Sequence, residues 1–261
     1  MRNANAWVNR CVHEAQCWEN NQFVTLTYAP DFLPELGSLR FQHFQNFMKE
    51  LRANESGVQR GADGQHKPIR FFGVGEYGDK FGRPHYHALL FNMRFDDLRF
   101  HARINGNDFY TSARLQKIWR KGHSLVSAVN LKTVRYVCRY PTKKLYGPML
   151  ERFLDVVDPV TGELLGRREP IFARMSLKPG LGSAWYDRFK RDLQHGYLVV
   201  GGHKSAIPRY YEKKFAAEFP MAYEDRKAER REYNPNLEPG RLAADEIVKT
   251  AMDDMRSVGK L

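Results

Sequence analysis

The 261-residue chain contains no apolar run near the ~18 residues that would read as a membrane span. Its opening, MRNANAWVNRCVHEAQ, lacks the apolar core of a secretory signal, so the sequence reads as a cytoplasmic protein without a membrane partner. Cysteine is scarce. Cys11, Cys17 and Cys138 are too few for a disulfide scaffold and suit a reducing compartment. Cys11, His13 and Cys17 have metal-ligand chemistry, but with no fourth ligand nearby, inert thiols on an N-terminal helix are the simpler reading. Neither an internal repeat nor a low-complexity tract is present. Acidic residues are outnumbered, 30 against 42 Lys and Arg, leaving a formal net charge of +12. Such an excess points to nucleic acid or another anionic surface as partner. What is plentiful is core-forming material. A hydrophobic fraction of 42% with 13% aromatics excludes a disordered chain and allows one sizeable core or two small domains.

The charge is uneven. Residues 222–261 carry eight Lys/Arg and nine Asp/Glu, so the positive excess belongs to the first 221 residues. Along them, 4–18 reads as a helix and NQFVTLTY (21–28) as a strand closed by Pro30. Residues 39–51 place Phe44, Phe47, Met48 and Leu51 at helical spacing, with Ser38 as the expected N-cap. The stretch 53–68 is a polar loop and a candidate for DNA contact. IRFFGVGEY (69–77) and PHYHALLFN (84–92) read as two strands joined by the turn GDKFGR. A helix near 112–120, a strand at 123–130 and a helix at 131–145 interrupted by Pro141 follow. Later, 154–169 reads as a hairpin, a helix starts near Ser183, and PRYYEKKF (208–215) mixes aromatics with cations.

Two constellations carry chemistry. His85 and His87 are two apart, so on a strand they share a face. In a hairpin symmetric about its turn, Glu76 lies opposite His85, and His87 lies opposite Val74, diagonal to Glu76. Opposed Cβ atoms sit ~5 Å apart and diagonal ones ~7–8 Å. Two imidazoles and a carboxylate then converge as a three-ligand site for a divalent cation. A one-residue slip would turn Glu76 to the other face. The plain alternative is a pair of structural histidines with a hydrogen-bonded glutamate. The second constellation is RYVCRYPTKK (135–144). Tyr136 and Tyr140 are spaced i, i+4 and would stack on one helix face, with Lys143 and Lys144 beyond them. A neutral phenol is a poor nucleophile, but charge withdrawal from a phosphodiester eases its attack. Taken alone, such tyrosines read as core or interface residues.

A Glu nine residues before H-hydrophobe-H, then Y-x-x-x-Y-x-x-K-K, resembles the HUH endonuclease superfamily. The likeness is narrowest to the rolling-circle replication initiators of microviruses of the gokushovirus type. FVTLTY, GEYGDKFGRPHYHALLF and RYVCRYPTKK carry it. WVNRCVHEAQ, SLKPGLGSAW and PRYYEKKF extend it over about residues 7–215. The resemblance implies a nickase and ligase of single-stranded DNA in the host bacterial cytoplasm. Glu76, His85 and His87 would hold Mg²⁺ or Mn²⁺. Tyr140, framed with Lys143, would attack the origin first and become 5′-phosphotyrosyl. Tyr136 would attack the regenerated origin, and the freed 3′-OH would close a circle. Pro141 directly after Tyr140 departs from helical geometry; a kink keeping both phenols near the metal is expected. Host replication helicase and polymerase are the implied partners.

Arg70, Arg83, Arg135 and Arg139 border the expected site as candidate phosphate contacts. Arg209, Tyr210 and Lys213, with Trp185 and Tyr211 nearby, fit base stacking over a cationic groove. Thr25 and Thr27 are candidates for the floor beneath the metal. The expected fold is α+β. A central antiparallel sheet of about five strands with flanking helices forms a core over 1–150. A basic DNA-contacting extension over 151–221 packs on it, and 222–261 forms a charged helical tail. Two rivals stand beside this. One is a non-catalytic RNA- or single-stranded-DNA-binding module that uses the aromatics of RFFGVGEY. The other is an HUH transposase or relaxase.

Overall fold

The computed structural model describes residues 2–55, 57–61, 63–78, 82–139, 153–232, 247–248 and 250. In chain order these form α1 (Arg2–Ala15), β1 (Asn21–Thr27), α2 (Phe41–Asn54), β2 (Arg70–Tyr77), β3 (Pro84–Phe91), β4 (Leu98–Ile104), β5 (Asn107–Ser112), α3 (Ala113–Trp119), β6 (Ser124–Ala128) and α4 (Leu131–Arg139). Then come β7 (Asp155–Val157), β8 (Leu164–Arg167), β9 (Phe172–Met175) and three helices, Ser183–Phe189, Arg209–Glu218 and Pro220–Glu232, with the small hairpin Leu198–Val200/His203–Ser205 among them. Most of the turn 78–83, Pro141 and the prolines of the tail lie outside the described residues.

The fold is α+β, as expected, but the antiparallel sheet has seven strands rather than about five, in the order β4-β5-β6-β1-β3-β2-β9. The additions lie at its edges. β4 is largely exposed and so lacks a buried alternating face. β9 is four residues long and pairs with β2 through Phe72↔Met175 to Gly75↔Phe172. The sheet edge is thus completed by residues expected, from the sequence, to belong to the 151–221 extension.

Each sheet face has its own core. Val24, Leu26, Tyr86, Ala88 and Leu90 face α2 and α3, where Phe44, Phe47, Met48, Leu51, Leu115 and Trp119 are buried. Each such side chain contributes roughly 1.5–3 kcal/mol through burial. A Cβ at Gly73 would collide with the Phe44 ring, so glycine lets α2 lie close on the sheet. Helix α2 is not capped by Ser38. Its N-cap residue is Arg40, which makes no side-chain cap bond. Instead the distant Glu169 carboxylate accepts from the Phe41 N–H at 2.8 Å, while Ser38 Oγ donates to the Leu39 carbonyl. A carboxylate there also suits the positive end of the helix.

The opposite face presents Phe23, Phe72, Val74, Leu89 and Phe91 to α1 and α4, joined by Val8, Cys11, Val134, Val137 and Cys138. The cysteines are reduced, as expected, and Cys11 and Cys138 are buried. A third cluster, built around Trp185, Tyr186, Tyr211 and Phe215, holds the C-terminal helices together. His13 of α1 belongs to it rather than to a metal cluster. Its ring stacks on Trp185 at 3.6 Å, and its Nδ1 lies 3.1 Å from the Tyr211 hydroxyl.

Burial pushes the His13 imidazole down to about 4. An exposed imidazole titrates near 6.5, so between the two values protons favour the unfolded chain. This contribution is complete above about pH 6.5 and is lost as pH falls toward 4, a loss of about 3 kcal/mol. Thermal melts from pH 7.5 to 4.5 should show Tm falling, with a shallower slope in His13→Gln.

Candidate metal centre and nucleic-acid interface

The hairpin register follows the symmetric expectation. Glu76 pairs with His85 and Val74 with His87. On the other side of β3, Thr25 pairs with His87 and Thr27 with His85. Glu76, His85, His87, Thr25 and Thr27 therefore share the sheet face that carries α1 and α4. The ligand atoms of Glu76, His85 and His87 lie within 4.8 Å of one another. Glu76 Oε1 is 2.9 Å from Nε2 of each histidine. Glu76 and His87 are buried, and His85 is partly open.

The outer nitrogens are also engaged. His85 Nδ1 lies 3.0 Å from the Arg83 carbonyl and His87 Nδ1 lies 3.0 Å from Thr25 Oγ1. A carbonyl accepts only, so His85 carries its proton on Nδ1 when it donates there, which leaves Nε2 free to act as a ligand. Such outer partners set ring orientation and tautomer in metal sites. Burial pushes the Glu76 carboxyl up, but hydrogen bonds from His85 and His87 outweigh it, and its pKa stays below the usual value. His87 is pushed down, first by burial and then by the neighbouring His85, against the pull of Glu76. An ionised carboxylate with neutral imidazoles is the protonation state that a divalent cation needs. Two nitrogens and one carboxylate oxygen bind such a cation from one side and leave its other positions open.

Helix α4 brings the tyrosine motif alongside. Val134, Val137 and Cys138 face the core, so Arg135, Tyr136 and Arg139 face outward. The Tyr136 hydroxyl is 3.3 Å from His87 Nε2, and its ring meets the imidazole edge to face at 5.1 Å. Phe23 stacks on the other side of His87 at 5.5 Å. Tyr140, Lys143 and Lys144 lie outside the described residues.

A cleft of about 380 Å³ opens beside this triad, lined by Phe23, Thr25, His87, Phe109 and Tyr136, by the β4–β5 tip (Ile104, Asn105, Asn107), and by Lys132, Thr133, Arg135 and Arg139 of α4. Three cations and no carboxylate line it. Arg135 and Arg139 stand where phosphate contact is expected. Lys132 and the β4–β5 tip were not among the sequence candidates. The signal for the tip was present: Asn105 and Gly106 both have positive φ, as an Asn-Gly hairpin requires.

The other candidates are placed elsewhere. Arg70 is buried with its Nε 2.5 Å from Glu14, and it donates to the Pro179 carbonyl. It is a structural cation at the far end of β2 from Glu76. Arg83 is exposed and donates to the Tyr28 carbonyl near the triad. Thr27 Oγ1 donates to the His123 carbonyl. Arg209, Tyr210 and Lys213 lie on the helix Arg209–Glu218, in the third cluster's neighbourhood. Arg209 and Lys213 are exposed, and Arg10 covers the Tyr210 ring at 4.2 Å. Trp185 and Tyr211 are core residues. No helix among the described residues is long and apolar enough to cross a membrane.

Residues 21–145 match the family model for replication-associated protein ORF2. The chain is 32% identical over 216 residues to replication-associated protein VP4 of Bdellovibrio phage phiMH2K, which covers 81% of this chain and 62% of that protein. It is 29% identical over 204 residues to replication-associated protein ORF4 of Chlamydia phage 1, covering 76% and 46% of the two. To replication-associated protein ORF2 of Spiroplasma virus 4 it is 29% identical over 211 residues, covering 77% and 59%. The chain thus spans roughly half to three fifths of the length of these relatives. No solved structure matches it significantly. Through residues 21–145, which hold the triad and the tyrosine helix, the chain belongs to the ORF2 family of replication-associated proteins.

Proposed function

We propose that this protein initiates rolling-circle replication of a phage genome by nicking single-stranded DNA at an origin with a tyrosine, and later rejoins the ends. The observation that carries this is the Tyr136 hydroxyl 3.3 Å from His87 Nε2, beside the Glu76–His85–His87 triad and an all-cationic cleft. Glu76, His85 and His87 are the residues to hold Mg²⁺ or Mn²⁺, which when bound withdraws charge from the scissile phosphate. Arg135, Arg139 and Lys132 draw the strand into the cleft. A tyrosine oxygen attacks phosphorus, the bond to the 3′ oxygen breaks, and that oxygen leaves as a 3′-OH after gaining a proton. The product is a 5′-phosphotyrosine, which stores the phosphodiester energy for rejoining. Tyr140 acts first and Tyr136 second, with Lys143 and Lys144 neutralising charge at the transfer point. Rejoining reverses the chemistry, with the freed 3′-OH displacing the tyrosine.

The names of the relatives favour a replication role over a transposase or relaxase. A base-stacking module on β2 has little to work with, since Phe72 is buried and Phe71 packs against the α2 side. The test is incubation with origin-like single strands and Mn²⁺, followed by a denaturing gel for a covalent 5′ adduct. A shifted protein band supports the proposal. Salt-sensitive binding without any adduct, across varied sequences, contradicts it.

Thr25 offers a finer test. Thr25→Val removes the hydroxyl at His87 Nδ1 but keeps a β-branched residue in β1. Mn²⁺ affinity, measured by titration calorimetry, should fall about 10–100-fold with little change in Tm.

A further inference from the structure

A second cleft, of about 370 Å³, lies at the other end of the same sheet face, bordered by the end of α1, the 59–68 loop, and residues 179–188. Arg70 starts β2 and Glu76 lies six residues on, so about 20 Å of strand separates this cleft from the triad. Its volume suits one nucleotide. Trp18 gives it an aromatic wall, and the ring is held because its Nε1 donates to Glu14 at 3.0 Å. Arg60, Lys67 and Arg188 are exposed along it. The one carboxylate present, Glu14, is already taken by the buried Arg70 at 2.5 Å. The field left at the cleft is therefore positive. Gln59 supplies the decisive detail. It lines the cleft, and its buried Oε1 has no hydrogen-bond partner among the described residues. A shielded acceptor left unpaired is costly, so it marks a place for an incoming donor.

We propose that this cleft takes one unpaired nucleotide: its base against Trp18, an N–H of the base edge on Gln59 Oε1, and its phosphate among Arg60, Lys67 and Arg188. Base stacking on an aromatic ring beside cations is how sequence-tolerant single-strand sites work. The proposal rests on the reading of the protein as a single-strand nuclease. It adds a second anchor, remote from the chemistry, that holds the strand while its scissile phosphate sits at the triad. The same base-plus-phosphate chemistry is offered by a nucleotide within the strand and by a free mononucleotide.

The experiment measures binding of a fluorescent origin-like single strand to the full chain in EDTA, by anisotropy, with abasic positions scanned along the strand. Gln59→Ala and the pair Lys67→Glu/Arg188→Glu are compared with wild type, with free dAMP and dCMP as competing probes. These side chains are outside the cores, and melting curves confirm that the variants fold. The charge reversals should weaken strand binding about tenfold or more and lower the salt slope by roughly one to two. Loss at one abasic position, muted in Gln59→Ala, identifies a base of the strand. Competition by mononucleotides that the reversals abolish identifies a free nucleotide. Either supports the site. Unchanged strand affinity and no mononucleotide binding overturn it. Adduct formation with Mn²⁺ is scored in parallel, so variants that bind normally while wild type still forms the adduct sink this site alone.

Discussion

Replacing His87 with alanine should lower cleavage of an origin-like single strand about a thousandfold, since several kcal/mol of charge stabilisation at the phosphate go with the cation. The imidazole sits where three relations meet: Glu76 at 2.9 Å, Thr25 at 3.0 Å and the Tyr136 hydroxyl at 3.3 Å. Its loss removes one of three ligands and the group beside the phenol. It also leaves a gap beneath Phe23, so some loss of Tm accompanies it. Stability and rate are separable. Strand binding in EDTA should stay within a few fold of wild type, because Lys132, Arg135 and Arg139 supply the attraction. Excess Mn²⁺ should recover part of the rate by driving occupancy. Equal cleavage by wild type and His87→Ala, both folded, would remove the triad from the chemistry.

The tyrosines are expected to divide the reaction. In Tyr136→Phe the ring keeps its edge-to-face contact with His87 at 5.1 Å, and only the oxygen is lost. The first nick then proceeds through Tyr140, and joining after a full round fails. In Tyr140→Phe the single nick falls strongly, and what remains passes through Tyr136. The double variant should give no adduct at any metal concentration. A single-turnover nicking assay and a two-origin joining assay together distinguish the three. If the double variant still forms an adduct, another residue is the nucleophile.

The metal site was legible because a hairpin leaves few choices. Once residues 78–83 are a turn, every pair is set, and Glu76↔His85 and Val74↔His87 follow from counting. The helix periodicity of 39–51 was equally readable, since Phe44, Phe47, Met48 and Leu51 mark one buried stripe. What could not be read came from partners distant in sequence. Arg70 has the look of a phosphate contact until Glu14, 56 residues earlier, folds beside it. Ser38 has the look of a cap, but Glu169 reaches the helix end from 128 residues away. Strands β4 and β5 escaped for a different reason. At the sheet edge, β4 is too exposed to show an alternating apolar face, so only the Asn105-Gly106 turn betrayed the pair.

Initiation by this protein depends on a tyrosine oxygen becoming bonded to phosphorus under the direction of the triad. Trypsin separates the two candidates, since Arg135 and Arg139 precede them: one peptide is Tyr136–Arg139, the next begins at Tyr140. Mass spectrometry of nuclease-trimmed adduct formed with Mn²⁺ should find a 5′-nucleotide on the Tyr140 peptide in the first nick, and on the Tyr136 peptide after joining. No modified tyrosine in either peptide, in a preparation that nicks the strand, would contradict it.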